Sequence, residues 1–171
     1  MRLVALDIET TGLDPEGGHR LIEIACVEIM GESRSGKTFH AVLDPEQDLE
    51  PGAEQVLGIT SAQLKGNPRF TDIADAFLEF VGDAPLVCHN AEFDLAFVDN
   101  ELGLLERPPL AGTHPVIDIL AEARSHHPGG TNSLDALCER YGINSAGSGP
   151  SRRDAELIAD VCLEMRRTPT P

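Results

Sequence analysis

The chain of 171 residues is long enough for one domain with a sizeable core, and its 41% hydrophobic and 25% charged content is ordinary for a globular protein. It carries 13 Lys and Arg against 29 Asp and Glu, a net charge of −16 at pH 7. That balance argues against a protein that grips nucleic acid by neutralising many phosphates; a strand would be held briefly, through metal ions and a shaped pocket.

Residues 2–9 read as a first strand. Residues 20–30, "RLIEIACVEIM", and 38–43, "TFHAVL", read as two more, with Gly and Ser turns between them. After the loop "DPEQDLEPG", the stretch "TSAQL" offers Thr60 and Gln63 as a capping box. From Thr71, Ile73, Phe77, Phe80 and Val81 recur at helical spacing. "PLVCHN" is a short buried strand leading into a helix from Ala91 that ends at Gly103. A strand or a helix entry surrounds "VIDIL", and "NSLDALCERYG" is a capped helix ending at Gly142. Residues 154–165 make a last helix with Ala155, Ile158, Cys162 and Met165 on one face. Strands first, then helices alternating with strands, predict an α/β sandwich of sheet and covering helices.

No apolar run approaches the ~20 residues that cross a bilayer, and Asp7 and Glu9 break the first run where a signal peptide needs continuity. Cys26, Cys88, Cys138 and Cys162 are too widely spaced for a disulfide framework or zinc site. They read as reduced core thiols of a cytoplasmic protein.

Asp7 and Glu9 are the anomaly of the first strand. At i and i+2 they share a face, roughly 7 Å apart at Cβ. Two buried anions that close cost several kcal/mol unless a cation compensates. Either they lie at an exposed strand end, or they hold a metal. Asp94 in "HNAEFDLAF" stands early in a helix after a buried strand. Asp154 in "SRRDAELIAD" stands at the first turn of the last helix, where the dipole favours an anion. Asp118 in "VIDIL" reads as an ordinary cap.

In combination, "DIETTG", "HNAEFD" and the late "DA" resemble the three exonuclease motifs of the DEDD superfamily. "GHRLIEIACVE" and "NSLDALCERYGI" are similar to the epsilon (proofreading) subunits of bacterial DNA polymerase III, and the likeness runs over nearly the whole chain. It implies an α/β fold of ribonuclease-H type, a central mixed sheet covered by helices, with residues 1–171 as a single exonuclease-like domain. By the same resemblance Asp7, Glu9, Asp94 and Asp154 would hold two divalent cations, Mg²⁺ or Mn²⁺. Thr10, Thr11, Gly12, Asn90 and Phe93 would shape the nucleotide site. The implied partners are a single-stranded DNA 3′ end and the polymerase III catalytic subunit, with no membrane.

The chain also departs from that family. The resemblance would place a general base at a His five residues before the last metal Asp, or a Tyr four before it. Those positions are Gly149 and Pro150, and "SAGSGPSRR" (145–153) holds neither residue type. A Glu and a His expected around the terminal nucleotide fall at Gly52 and Leu57. His126 and His127, in a loop "SHHPGG", offer a replacement base, with two solvated loop histidines as the plainer reading. His89 reads as a hydrogen-bonder at its strand end, and His19, His40 and His114 have no motif around them. Epsilon subunits continue beyond this domain, whereas the chain stops at "RRTPTP", as a truncated catalytic domain or a stand-alone relative would. Two functions follow: an exonuclease releasing nucleoside monophosphates, weakened by the lost base, or an inactive pseudo-exonuclease serving as a binding or assembly subunit.

Overall fold

The computed structural model describes residues 1–49, 52, 54–55, 58–145 and 150–168. Its core is a five-stranded mixed sheet of order β3-β2-β1-β4-β5. The strands are β1 (Arg2–Thr10), β2 (Leu21–Met30), β3 (Ser33–Val42), β4 (Leu86–Cys88) and β5 (Val116–Asp118). The first three form an antiparallel meander, and β4 and β5 add in parallel beyond β1.

Side-chain alternation along β1 divides the core in two. Val4, Leu6 and Ile8 face a layer that includes Phe77, Phe97 and Leu102 from helices α2 (Phe70–Val81) and α3 (Ala91–Leu104). Leu3 and Ala5 face the other layer, where Ile119, Leu137 and Ile158 project from α4 (Ile119–His126), α5 (Leu134–Tyr141) and α6 (Pro150–Arg167). The short α1 (Ser61–Leu64) carries the expected box, in which the Thr60 hydroxyl accepts from Gln63 N–H and Gln63 Oε1 accepts from Thr60 N–H. Asp7 and Glu9 continue the row of Leu3 and Ala5, so both carboxylates point to the α4–α6 side. A β-bulge between Glu9 and Thr10 shifts the register beside that row, so that Thr10 pairs with Leu21 and Thr11 N–H still reaches the Arg20 carbonyl at 2.9 Å.

Four expectations need correction. The third strand begins at Ser33, not residue 38, because Gly31 at φ 64° allows a two-residue turn that pairs Ser33 with Met30. β3 is an edge strand exposed along most of its length, so no apolar alternation marks its start. The last helix starts at Pro150, whose fixed φ suits a first helical position. Asp154 therefore lies in the second turn, and the dipole argument for it falls away. α3 runs through Gly103 to Leu104. His126 is the last residue of α4 and His127 its cap, not members of a free loop.

All four cysteines are buried free thiols. Among the described residues no helix is long and apolar enough to cross a membrane.

Candidate active site

Asp7 and Glu9 sit half-buried near the C-terminal end of β1, whose parallel neighbour β4 runs directly into the loop before α3. At that junction Asn90 adopts left-handed backbone, φ 84°, which redirects the chain within one residue. Asp94 follows in the first turn of α3 and is 4% exposed. Asp154 approaches from α6, which packs over β1 and β2.

The four carboxylates are electrically one group. Burial first, and then the charges of Asp94, Asp154, Glu9 and Glu23, push Asp7 well above the ordinary carboxylate range. Glu9 is raised to about 7, by burial, Glu23 and Asp154. Burial also raises Asp94, against a hydrogen bond from Cys88 that favours its charged form. Asp154 is raised by burial and partly held down by Arg153, whose guanidinium lies 3.1 Å from Asp154 Oδ1.

Two observations bear on whether such a set suits metal ions. Among the described residues, no three His, Cys, Asp or Glu side chains are gathered tightly enough to hold an ion by themselves. Yet Asp94 Oδ2 is buried without any hydrogen-bond partner. An orphaned carboxylate oxygen in a cluster of mutually repelling acids is a position that a hard cation relieves. Mg²⁺ needs no closed protein cage, since it keeps several waters and takes one or two carboxylates plus substrate phosphate. The donor set fits.

The turn after β1 is fixed from within. Thr10 Oγ1 donates to the Gly12 carbonyl at 2.6 Å. Thr11 is buried, and its hydroxyl accepts from Arg20 N–H at 2.9 Å and Gln47 Nε2 at 3.0 Å. Thr11 therefore shapes the turn, and its side chain has little left to offer a ligand. At Gly12 a Cβ would lie 2.5 Å from the His19 ring, so any side chain there would have to displace that ring. Asn90 is exposed, with no side-chain capping bond. Phe93 is half-buried, its ring 5.1 Å from that of Phe97.

Asp118 is the cap expected of it, and more. It accepts from Leu120 and Ala121 N–H at the start of α4, and also from Asn90 and Ala91 N–H at the start of α3. His89 Nε2 bonds the Asn132 carbonyl at 2.9 Å. His127 Nε2 lies 3.5 Å from the Tyr141 hydroxyl. Gly149 and Leu57 lie outside the described residues; Gly52 is an open position at φ 92°.

Sequence reasoning passed over Glu23 and His40. Strand register places Glu23 directly across from Glu9, and His40 Nε2 pairs with Glu23 Oε1 at 2.7 Å. Only the pairing register brings them to the site; in "RLIEIACVEIM" Glu23 looks like one polar residue of a strand.

The exonuclease family profile matches residues 4–162. DNA polymerase III subunit epsilon of Rickettsia felis is 42% identical over 169 residues, covering 96% of this chain and 74% of that protein. The epsilon subunit of Escherichia coli K12 is 41% identical over 172 residues, with 96% and 71% covered. Among solved structures, the nuclease domain of 3′hExo, a DEDDh family member bound to rAMP, superposes with a TM-score of 0.81 at 19% identity, over 99% of this chain and 93% of that one. E. coli exonuclease I with single-stranded DNA gives a TM-score of 0.83 at 18% identity, over 98% and 41%. At such identities the structural likeness speaks for the fold, which is the ribonuclease-H-like exonuclease fold.

Proposed function

Since the chain belongs to the exonuclease family and is an enzyme of its 3′–5′ class, we propose that it is a proofreading nuclease of epsilon type. Residues 1–171 would act as one domain in the cytoplasm, removing nucleotides singly from single-stranded DNA and releasing nucleoside monophosphates, with the polymerase III catalytic subunit as protein partner. The observation that carries this reading is the coupled set Asp7, Glu9, Asp94 and Asp154, with one buried Asp94 oxygen left unsatisfied.

Those four carboxylates would hold two divalent cations, Mg²⁺ or Mn²⁺, which when bound supply Lewis-acid activation and charge neutralisation. The chain's own residues do the rest. The Thr10–Gly12 turn and Asn90 border the terminal nucleotide, and the Phe93 ring, backed by Phe97, offers a face for its base. One water is consumed: its oxygen bonds to phosphorus, the P–O3′ bond breaks, and a proton ends on the departing 3′ oxygen. No His or Tyr occurs in residues 145–153 to take the water's proton. A positioned base is worth about 10²–10⁴ in rate, and the enzyme should be slower by that order.

The same lack favours the second reading, a binding or polymerase-assembly subunit without activity. A 5′-labelled single-stranded oligonucleotide separates the two. Stepwise shortening with Mg²⁺ or Mn²⁺, abolished in Asp7→Ala, is the expected result. Strand binding with no shortening in either metal would establish the second reading instead.

A further inference from the structure

A polyanionic strand approaching a chain of net charge −16 needs some region where the potential is not negative. Most cations cannot supply it, because they are already neutralised. Arg2, Arg20, Arg34, Lys37, Lys65, Arg69, Arg107, Arg152, Arg153 and Arg167 each lie within ion-pair distance of a carboxylate. Among the described residues, the exceptions are Arg124, Arg140 and Arg166.

Two of these three flank one loop: Arg124 lines the cleft beside it, and Arg140 bonds it from α5. A cleft of about 410 Å³ is bordered by His89, Arg124, Gly129, Gly130 and Asn132. Arg124 projects from the last turn of α4 and is exposed. Arg140, on α5, reaches back over the same loop, donating to Asn132 Oδ1 at 3.0 Å and to the Thr131 carbonyl at 2.9 Å. Its Nη2 lies 3.4 Å from where a Gly130 Cβ would stand, so the missing side chain leaves the loop backbone open beside the guanidinium. Arg140 thus holds the loop while keeping its charge uncancelled.

His89 joins the cleft to the carboxylates. It lies between Cys88, the end of β4, and Asn90, and its ring is bonded to the cleft's Asn132 carbonyl. Asp154, one of the four carboxylates, lies within electrostatic reach of the same ring. The cleft therefore opens beside the carboxylate site without containing any of its acids.

We propose that this cleft, with Arg124 as its cation and Arg140 bound to its loop, is a phosphodiester subsite for the backbone upstream of the 3′-terminal nucleotide. The assignment rests on the exonuclease reading for what lies next door, and on the unpaired guanidiniums for the chemistry of what it takes. Arg124 faces the upstream phosphate directly, and Arg140 adds charge while fixing the loop.

Anisotropy of a labelled single-stranded hexamer, with a phosphorothioate last linkage to block cutting, tests this against dTMP as competitor. Arg124→Gln should weaken hexamer binding about five- to tenfold at low salt and flatten the slope of log K against log[salt] by about 0.7. Arg124→Lys should recover most of the loss, and dTMP affinity should not change, since a mononucleotide has no upstream phosphate. Unchanged hexamer affinity and slope in Arg124→Gln overturn the subsite. An equal loss for dTMP does so too, by making the cleft a site for a terminal or free phosphate. If the wild-type chain binds a hexamer through Arg124 but never shortens an unmodified one, the subsite stands and the exonuclease reading falls.

Discussion

Helix α3 carries two buried carboxylates, Asp94 and Glu101, and treats them in opposite ways. They are seven residues apart, two turns along one face. Their exposures are nearly equal, 4% and 2%. Glu101 is fully compensated: Arg20 Nε and Nη2 donate to its two oxygens at 2.6 and 2.7 Å, and Leu21 N–H reaches Oε1 at 3.4 Å. Asp94 has one oxygen with no partner and is surrounded by like charge. The chain can clearly satisfy a buried acid on this helix, so Asp94 is not left bare for want of means. Glu101 ties α3 to the start of β2, while Asp94 keeps an oxygen that no group of the described chain satisfies.

Isosteric amides give the largest contrast. Glu101→Gln should destabilise the protein by about 3–5 kcal/mol in urea unfolding, because Arg20 then stays partly buried without its counter-ion. The apolar double variant Arg20→Met with Glu101→Leu should regain most of that. Asp94→Asn should leave unfolding within about 1 kcal/mol of wild type, while cleavage falls at least about 10²-fold. A stability loss equal to that of Glu101→Gln would erase the distinction between the two acids.

Divalent cations sharpen it at intermediate size. With Mg²⁺ or Mn²⁺ at ten times its dissociation constant, native-state binding adds about 1.4 kcal/mol, or roughly 3–6 °C in melting temperature. The Glu101 variants should keep this response and Asp94→Asn should lose most of it. A wild-type protein that melts at the same temperature with and without the metals would contradict the proposed site.

The smallest effect is on pH. Glu9, raised from 4.5 to about 7, holds its proton more tightly folded than unfolded. Its stabilising contribution is therefore complete below about pH 4.5 and lost as pH rises through about 7. Solvent screening of a half-exposed group keeps it under about 1 kcal/mol. Melting curves in chelator between pH 5 and 8 should show that slope in wild type and a shallower one in Glu9→Gln. Identical slopes would mean that Glu9 does not titrate in this window.

Local pattern carried much of the architecture. Apolar strands at 2–9 and 20–30, the Thr60–Gln63 box and the Gly142 helix end were readable because each signal lies within a few residues of what it specifies. The first half of β3 is silent in the sequence because an exposed edge strand needs no apolar face. The start of α6 leaves no local mark, because Pro150 follows Gly149, which reads as the end of a turn rather than an opening to a helix.

The sequence by itself determined that Asp7 and Glu9 share one strand face, that Asp94 stands early in a helix after a buried strand, and which family motifs hold them. Those are periodicity and spacing, properties of a chain with itself. Tertiary structure alone decided that Glu23 stands across from Glu9, that Arg20 serves Glu101 from 81 residues away, and that Arg124 lines a cleft whose loop Arg140 holds. Electrostatic partnership falls off with distance through space, and strand register and helix packing set that distance with no trace in the local pattern.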